Sequence, residues 1–217
     1  GVSKDELPRV SISGSEIVRR QYLSHMKDII VTIRPDGIQF NNSCIMKMED
    51  TVYILILINR SKHWLIVRAC EENDKDGQRW CNVRDDVRKS RKITGRDFAT
   101  RVYRMMGWNK GYYYKICGAP ALRMDNEDEL IMVFELDETE MYPMSAKARQ
   151  SAGVEDEEIG ETELKRLAEV EAMREAEKAE RAAAAARGEK PKKVKKNSRF
   201  PETWTEDSFG TPIEDYS

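Results

Sequence analysis

The chain carries two histidines among 217 residues, and no two of its four cysteines stand at C-x-x-C spacing. Structural zinc needs imidazole and thiolate ligands at such spacings, so no metal is expected. Cys44, Cys70, Cys81 and Cys117 lie far apart in apolar-flanked segments. That is the pattern of reduced, buried thiols rather than of a disulfide framework. No apolar run reaches the ~18 residues that read as a membrane span, and Gly1–Pro8 has no apolar signal-peptide core. A cytoplasmic protein that stays out of membranes is the expectation. The phosphate loop G-x-x-x-x-G-K-S/T, the dinucleotide pattern G-x-G-x-x-G, the nucleophile elbow G-x-S-x-G and the zinc-protease pattern H-E-x-x-H are all missing too. Carboxylates abound, but in surface-like runs such as Glu71-Glu72 and Asp125–Glu129 rather than as a recognisable acid/base pair. The sequence therefore points away from an enzyme and implies no cofactor.

What the chain does contain is charge, 35% of all residues, at a mean hydropathy of −0.70. That is too polar for a chain that is globular throughout, so part of it should lie outside any core. The net charge of −2 conceals blocks of opposite sign. Composition changes near residue 143. Before it stand the strand-like runs Ile29–Ile33, Val52–Ile58, Trp64–Val67, Tyr112–Cys117 and Leu130–Leu136. Turn chemistry marks Asn59–Lys62 and Asp125–Asp128. Phe98, Val102, Met105 and Met106 recur at helical spacing within Thr94–Met106, with Gly107 as a natural stop. Ile17, Val18, Tyr22 and Met26 predict an earlier helix over Ser15–Met26.

Residues 36–69 and 92–136 echo one another: a short strand, an amphipathic helical segment, then two strand-like runs. The fold class this predicts is α+β, a small β-rich barrel or sandwich made of two strand–helix–hairpin units, followed by a long C-terminal helix and tail. Its parts are an N-terminal arm (1–28), a two-half domain (29–142, with halves 29–70 and 92–137 joined by a linker, 71–91), a charged helical extension (143–187) and a tail (188–217). Trp80 and Trp108, each near a glycine, read as plugs of the core.

Glu155–Arg187 is built from Glu, Ala, Lys and Arg, all strong helix formers. Glu161/Lys165 and Glu177/Arg181 are spaced for i,i+4 pairing. Its larger apolar residues occupy only the first half, which predicts a helix docked at its start and solvated at its end. A basic stretch follows, Lys190–Lys196, with Lys192 and Lys193 at its centre. It reads as a nuclear localisation signal, as a nucleic-acid-binding arm or as solvated linker lysines. Phe200, Trp204, Phe209 and Tyr216 are then interleaved with acidic residues. Such a segment suits docking, onto a partner protein or onto the chain's own domain.

The strongest charge signal inside the domain is Arg84–Lys115, ten basic residues against three acidic. Arg88, Lys89, Arg91 and Lys92 fall in the expected connecting loop, and Arg96, Arg101 and Arg104 on the expected helix. Cations gathered in this way can neutralise phosphates and release their counterions. The tyrosines Tyr112, Tyr113 and Tyr114 follow and offer rings for base stacking. The competing reading is an ordinary solvated helix face and charged loop.

The segment Asp36-Gly37-Ile38-Gln39-Phe40-Asn41-Asn42, followed by a short helix and the run Tyr53–Ile58, resembles the swapped-hairpin unit of the AbrB/SpoVT family. It is also similar to small proteins of bacterial mobile elements and phages. The resemblance covers roughly residues 29–137. It implies an intertwined barrel in which the second half of this chain, Ile93–Leu136, takes the place of a partner copy. It also implies DNA binding through basic residues on the barrel face, for which Arg34 and the Arg88–Arg96 group are the nearest positions. The chain departs from that family in its longer second helix and in its long charged link, Cys70–Arg91. A non-enzymatic nucleic-acid-binding or regulatory protein, with DNA favoured, is the leading expectation. The alternative is an assembly component whose helix and tail engage partner subunits. A homo-oligomer fits either.

Overall fold

The computed structural model describes residues 9–19, 22–23, 28–188 and 208–215. Chain contacts divide it into two units, one joining the N-terminal arm to the C-terminal tail and one spanning residues 27–200.

In the first unit, β1 (Glu16–Val18) pairs antiparallel with the last strand of the chain, β12 (Gly210–Pro212). The expected helix over Ser15–Met26 is therefore wrong where it can be seen. Ile17 and Val18 are adjacent β-branched residues, and the tail supplies the strand partner that local spacing could not reveal. The backbones approach closely at Gly210, where a Cβ would meet the Ile17 carbonyl. Glu214 accepts from the Gly14 amide at 2.8 Å and from Ser13 Oγ at 3.0 Å, and the amide bond above all holds its carboxyl below the usual range. The C-terminal segment thus docks on the chain's own arm.

The second unit is an eight-stranded antiparallel sheet that nearly closes into a barrel. In chain order its elements begin with β2 (Ile30–Arg34), β3 (Gly37–Phe40), α1 (Asn42–Lys47), β4 (Tyr53–Asn59) and β5 (Trp64–Cys70). Next come β6 (Gln78–Arg79), a ribbon of β7 (Cys81–Arg84) and β8 (Val87–Ser90), and then β9 (Lys92–Thr94), α2 (Arg96–Met106), β10 (Tyr112–Arg123) and β11 (Asn126–Pro143). The order across the sheet is β6-β4-β5-β11-β10-β2-β3-β9. The echo in the sequence is real architecture. The strands that open the two halves pair with each other, Gly37 opposite Thr94, and β5 pairs with β11, Phe134 opposite Leu65.

Alternation sets the faces. Val31 and Ile33 of β2, Leu65 and Val67 of β5, and Phe40 of β3 are fully buried. Phe40 sits at the centre of the core, 5.5 Å from the Trp80 ring and 5.8 Å from Phe134. A β-bulge at Ile116–Gly118 lets Phe134 lie across Gly118, where a Cβ would stand 2.5 Å from the ring. α1 is capped by Asn41, whose Oδ1 accepts from the Cys44 amide at 3.1 Å. α2 stops where expected, at Gly107 in the left-handed region (φ 64°). Cys44 and Cys81 are buried, and burial pushes the Cys44 thiol up to about 12.

Three expectations shift. The second hairpin turns at Met124–Asp125, so Asn126 already belongs to β11. Both strands of that hairpin outrun their apolar cores. The C-terminal extension is broken: α3 (Ala146–Ser151) comes first, and α4 (Glu161–Ala186) begins only after Gly160 (φ 90°). As expected, α4 docks by its start. Leu167 is buried, reaching the space left by Gly111, whereas Met173 is 61% exposed. The Glu161–Lys165 pair forms at 3.1 Å.

Candidate functional site

Residues 71–91 are not a plain linker. They run from one edge of the sheet, where β6 pairs with β4, to the other, where β9 pairs with β3. This segment bridges the two edges of the nearly closed barrel, and Arg88, Lys89 and Arg91 lie along it. Trp80 is its plug, fully buried. Its amide donates to the Val52 carbonyl at 3.2 Å, and its own carbonyl accepts from the Arg91 amide at 3.1 Å. The Thr51 carbonyl gathers the closure into one point. It accepts from Trp80 Nε1 at 3.1 Å, from Arg88 Nη1 at 3.1 Å and, more weakly, from Cys81 Sγ at 3.8 Å.

The ribbon rises from this point. Its turn residues, Asp85 and Asp86, both adopt positive φ (49° and 59°), as the tightest two-residue hairpins require. The register pairs Cys81 with Ser90, Asn82 with Lys89, Val83 with Arg88 and Arg84 with Val87. The pleat therefore puts Cys81, Val83, Arg88 and Ser90 on one face and Asn82, Arg84, Val87 and Lys89 on the other. The first face is anchored through Arg88 and Ser90, although Val83 on it is exposed. Arg88 Nη1 also donates to the Met48 carbonyl at 2.8 Å, Ser90 Oγ donates to the Phe40 carbonyl, and the Ser90 amide donates to Asn42 Oδ1 at 2.9 Å. On the opposite face, Asn82, Arg84, Val87 and Lys89 are exposed.

The expected phosphate-binding residues thus separate into two kinds. Arg88 is a structural fastener on β8, not a loop cation. Lys92 lies in β9 and pairs with Asp36. Lys89 is exposed on β8, and Arg91 is exposed just before β9. Arg96, Arg101 and Arg104 lie on the exposed arc of α2 together with Asp97, while Ala99, Val102 and Tyr103 face the core. The Arg96 guanidinium packs against Gly153, 2.6 Å from where a Cβ would stand. Among the described residues, the side chains of Lys89, Arg91, Arg101 and Arg104 make no hydrogen bond or ion pair. Lys192, Lys193, Phe200, Trp204 and Tyr216 lie outside the described residues. Phe209 flanks β12 and is 64% exposed.

The tyrosine run is used internally. Tyr103 Oη donates to the Tyr112 carbonyl at 2.7 Å, and Tyr112 bonds Glu163 through its own hydroxyl. Tyr114 stacks on the half-buried Trp108 at 4.1 Å. Tyr113 stacks on Tyr142 and carries the Arg34 guanidinium 4.2 Å above its ring. Tyr112 and Tyr114 are buried and closed to a base, while the half-buried Tyr113 is engaged by Tyr142 and by Arg34.

Sequence reasoning missed Asn82 and Val87 as outward residues, because Asp85-Asp86 does not look like the Asn-Gly turn that usually announces a tight hairpin. The available signal was alternation on both sides of that pair.

The distinction between fastener and surface cation is measurable. Arg88→Ala removes two charged hydrogen bonds to carbonyls, Met48 and Thr51, and should cost about 2–3 kcal/mol in denaturant unfolding. Lys89→Ala, one residue away on the opposite face, should stay within about 0.5 kcal/mol of the parent. Equal midpoints for the two variants would contradict the anchoring described above.

No helix among the described residues is long and apolar enough to cross a membrane. Compared with known proteins, the chain matches no family model, no curated sequence and no solved structure.

Proposed function

We propose that this is a non-enzymatic, cytoplasmic nucleic-acid-binding or regulatory protein, with DNA the favoured ligand. One contrast carries this reading. Arg68, Arg88, Lys92, Lys110 and Arg123 are all engaged by carboxylates or carbonyls within the fold. Lys89, Arg91, Arg101 and Arg104 stay exposed on the closing segment and on the helix that follows it. Exposed cations without internal partners are what a polyanion can use at the lowest desolvation cost. Further support comes from the joining of the two halves in one nearly closed sheet through β3–β9 and β5–β11, in line with the intertwined barrel that the AbrB/SpoVT resemblance implies.

Fluorescence anisotropy of duplex DNA titrated at 50–200 mM salt tests the proposal. Each phosphate neutralised contributes about 0.9 to the log–log salt slope. Replacing Lys89, Arg91, Arg101 and Arg104 with alanine should lower that slope by about 3–4. Binding that ignores salt, or no binding at all, would refute it.

A second reading, an assembly component, is favoured by α4, where Met173 stands exposed on a helix docked mainly by its first turns. Light scattering of the full chain and of Met173→Glu tests it. A mass above that of one chain, lowered by the substitution, supports assembly through α4, and a monomer in both cases removes it.

A further inference from the structure

We infer that the β7–β8 ribbon is a reading element that lays its outward face in the major groove of duplex DNA, an inference that rests on the nucleic-acid reading above. The ribbon forms its own two-stranded sheet and pairs with no strand of the barrel. It does not hang loosely. Arg88, Ser90 and the adjoining Trp80 fasten its inward face and base to Met48, Thr51, Phe40 and Asn42. A contact element held in this way meets its target already ordered, with little entropy left to lose on binding.

The chemistry of the outward face goes beyond what phosphate attraction requires. Asn82 stands beside Lys89, and Arg84 beside Val87, all four exposed. An asparagine amide can pair with the N6/N7 edge of adenine, arginine with O6/N7 of guanine, and a valine methyl can pack on the thymine methyl. A surface built only for electrostatic attraction needs neither the amide nor the valine. The tip is acidic, Asp85-Asp86, and Arg84 Nε lies 3.8 Å from the Asp85 carboxylate. Two carboxylates are repelled by a phosphate backbone, so the ribbon approaches along its flank with its tip away from phosphate. Arg91 and the α2 arginines lie just beyond its C-terminal end in the chain and supply the backbone contacts that set register.

The shape selects among nucleic acids. The B-DNA major groove, about 12 Å wide, admits a two-stranded ribbon. The major groove of A-form RNA is too narrow for side chains to read, and a single strand has no groove.

The experiment is selection of bound sequences from a random duplex DNA library by the full-length protein, followed by competition. A short enriched motif is expected. Asn82→Ala and Arg84→Ala should each weaken binding to that motif about 5- to 100-fold and erase the preference at one position. Asn82→Ala should leave the salt slope unchanged. Arg101→Ala should weaken all sequences alike. Duplex RNA and single-stranded DNA should compete poorly. Salt-steep but sequence-blind binding, or unaltered preferences in Asn82→Ala and Arg84→Ala, overturns the ribbon inference while the nucleic-acid reading stands. If no nucleic acid is bound at any salt, both fall.

Discussion

Trp80→Ala should lower the unfolding free energy by about 3–5 kcal/mol, the range for deleting a fully buried large aromatic. Small domains hold only about 5–15 kcal/mol in total, so the variant should unfold at markedly lower denaturant. The loss has two parts. The ring leaves a cavity against Phe40, 5.5 Å away at the centre of the core. The indole N–H, which donates to the Thr51 carbonyl, disappears. That carbonyl is not orphaned, because Arg88 still donates to it at 3.1 Å. Trp80→Phe should therefore recover most of the stability, losing about 1 kcal/mol with the hydrogen bond. An alanine variant with an unchanged midpoint would mean that Trp80 does not hold the two edges of the barrel together.

Gly37→Ala tests the same closure from the opposite edge and should cost about 3 kcal/mol. A Cβ there would sit 2.3 Å from the Ile93 carbonyl oxygen and 3.1 Å from Thr94 Cα, both backbone atoms of β9. Neither can swing aside as a side chain would. They are fixed by the Gly37–Thr94 pairing, by the Gly95 amide donating to the Asp36 carbonyl at 3.1 Å, and by the Lys92–Asp36 ion pair. The strain should therefore detach β9. Hydrogen exchange of the β9 amides should rise sharply while the β4–β5 hairpin keeps its protection. Gly107→Ala gives the scale for comparison. Nothing lies near its Cβ, and only the left-handed backbone (φ 64°) resists, for about 1 kcal/mol. A Gly37 variant no worse than the Gly107 variant would show that β3 and β9 are not tightly paired.

Both experiments concern residues whose importance is only half legible in the sequence. Trp80 can be read as a plug from its size, but its partners, Phe40 and Thr51, lie 40 and 29 positions away. The strand–helix–hairpin echo can be read because apolar alternation is a local property, and α2 can be read because Phe98, Val102 and Met106 repeat at its own period. The α4 docking point follows from the larger apolar residues that stop halfway along it. The Ser15–Met26 helix failed for the converse reason. A three-residue strand has too little local pattern to announce itself, and β1 exists only because β12 comes back to it.

The candidate surface divides along the same line. Composition alone located the Arg/Lys excess between residues 84 and 115. It could not separate Arg88 from Lys89, because neighbours in a strand point to opposite faces and only the partner of each face tells which is anchored. Local periodicity, turn chemistry and charge, all carried by neighbouring residues, determined the α+β class, the doubled layout and the basic region. The tertiary structure decided what depends on distant partners: that residues 71–91 bridge the edges of the nearly closed barrel, that three of their donors converge on the Thr51 carbonyl, and which cations are left facing outward.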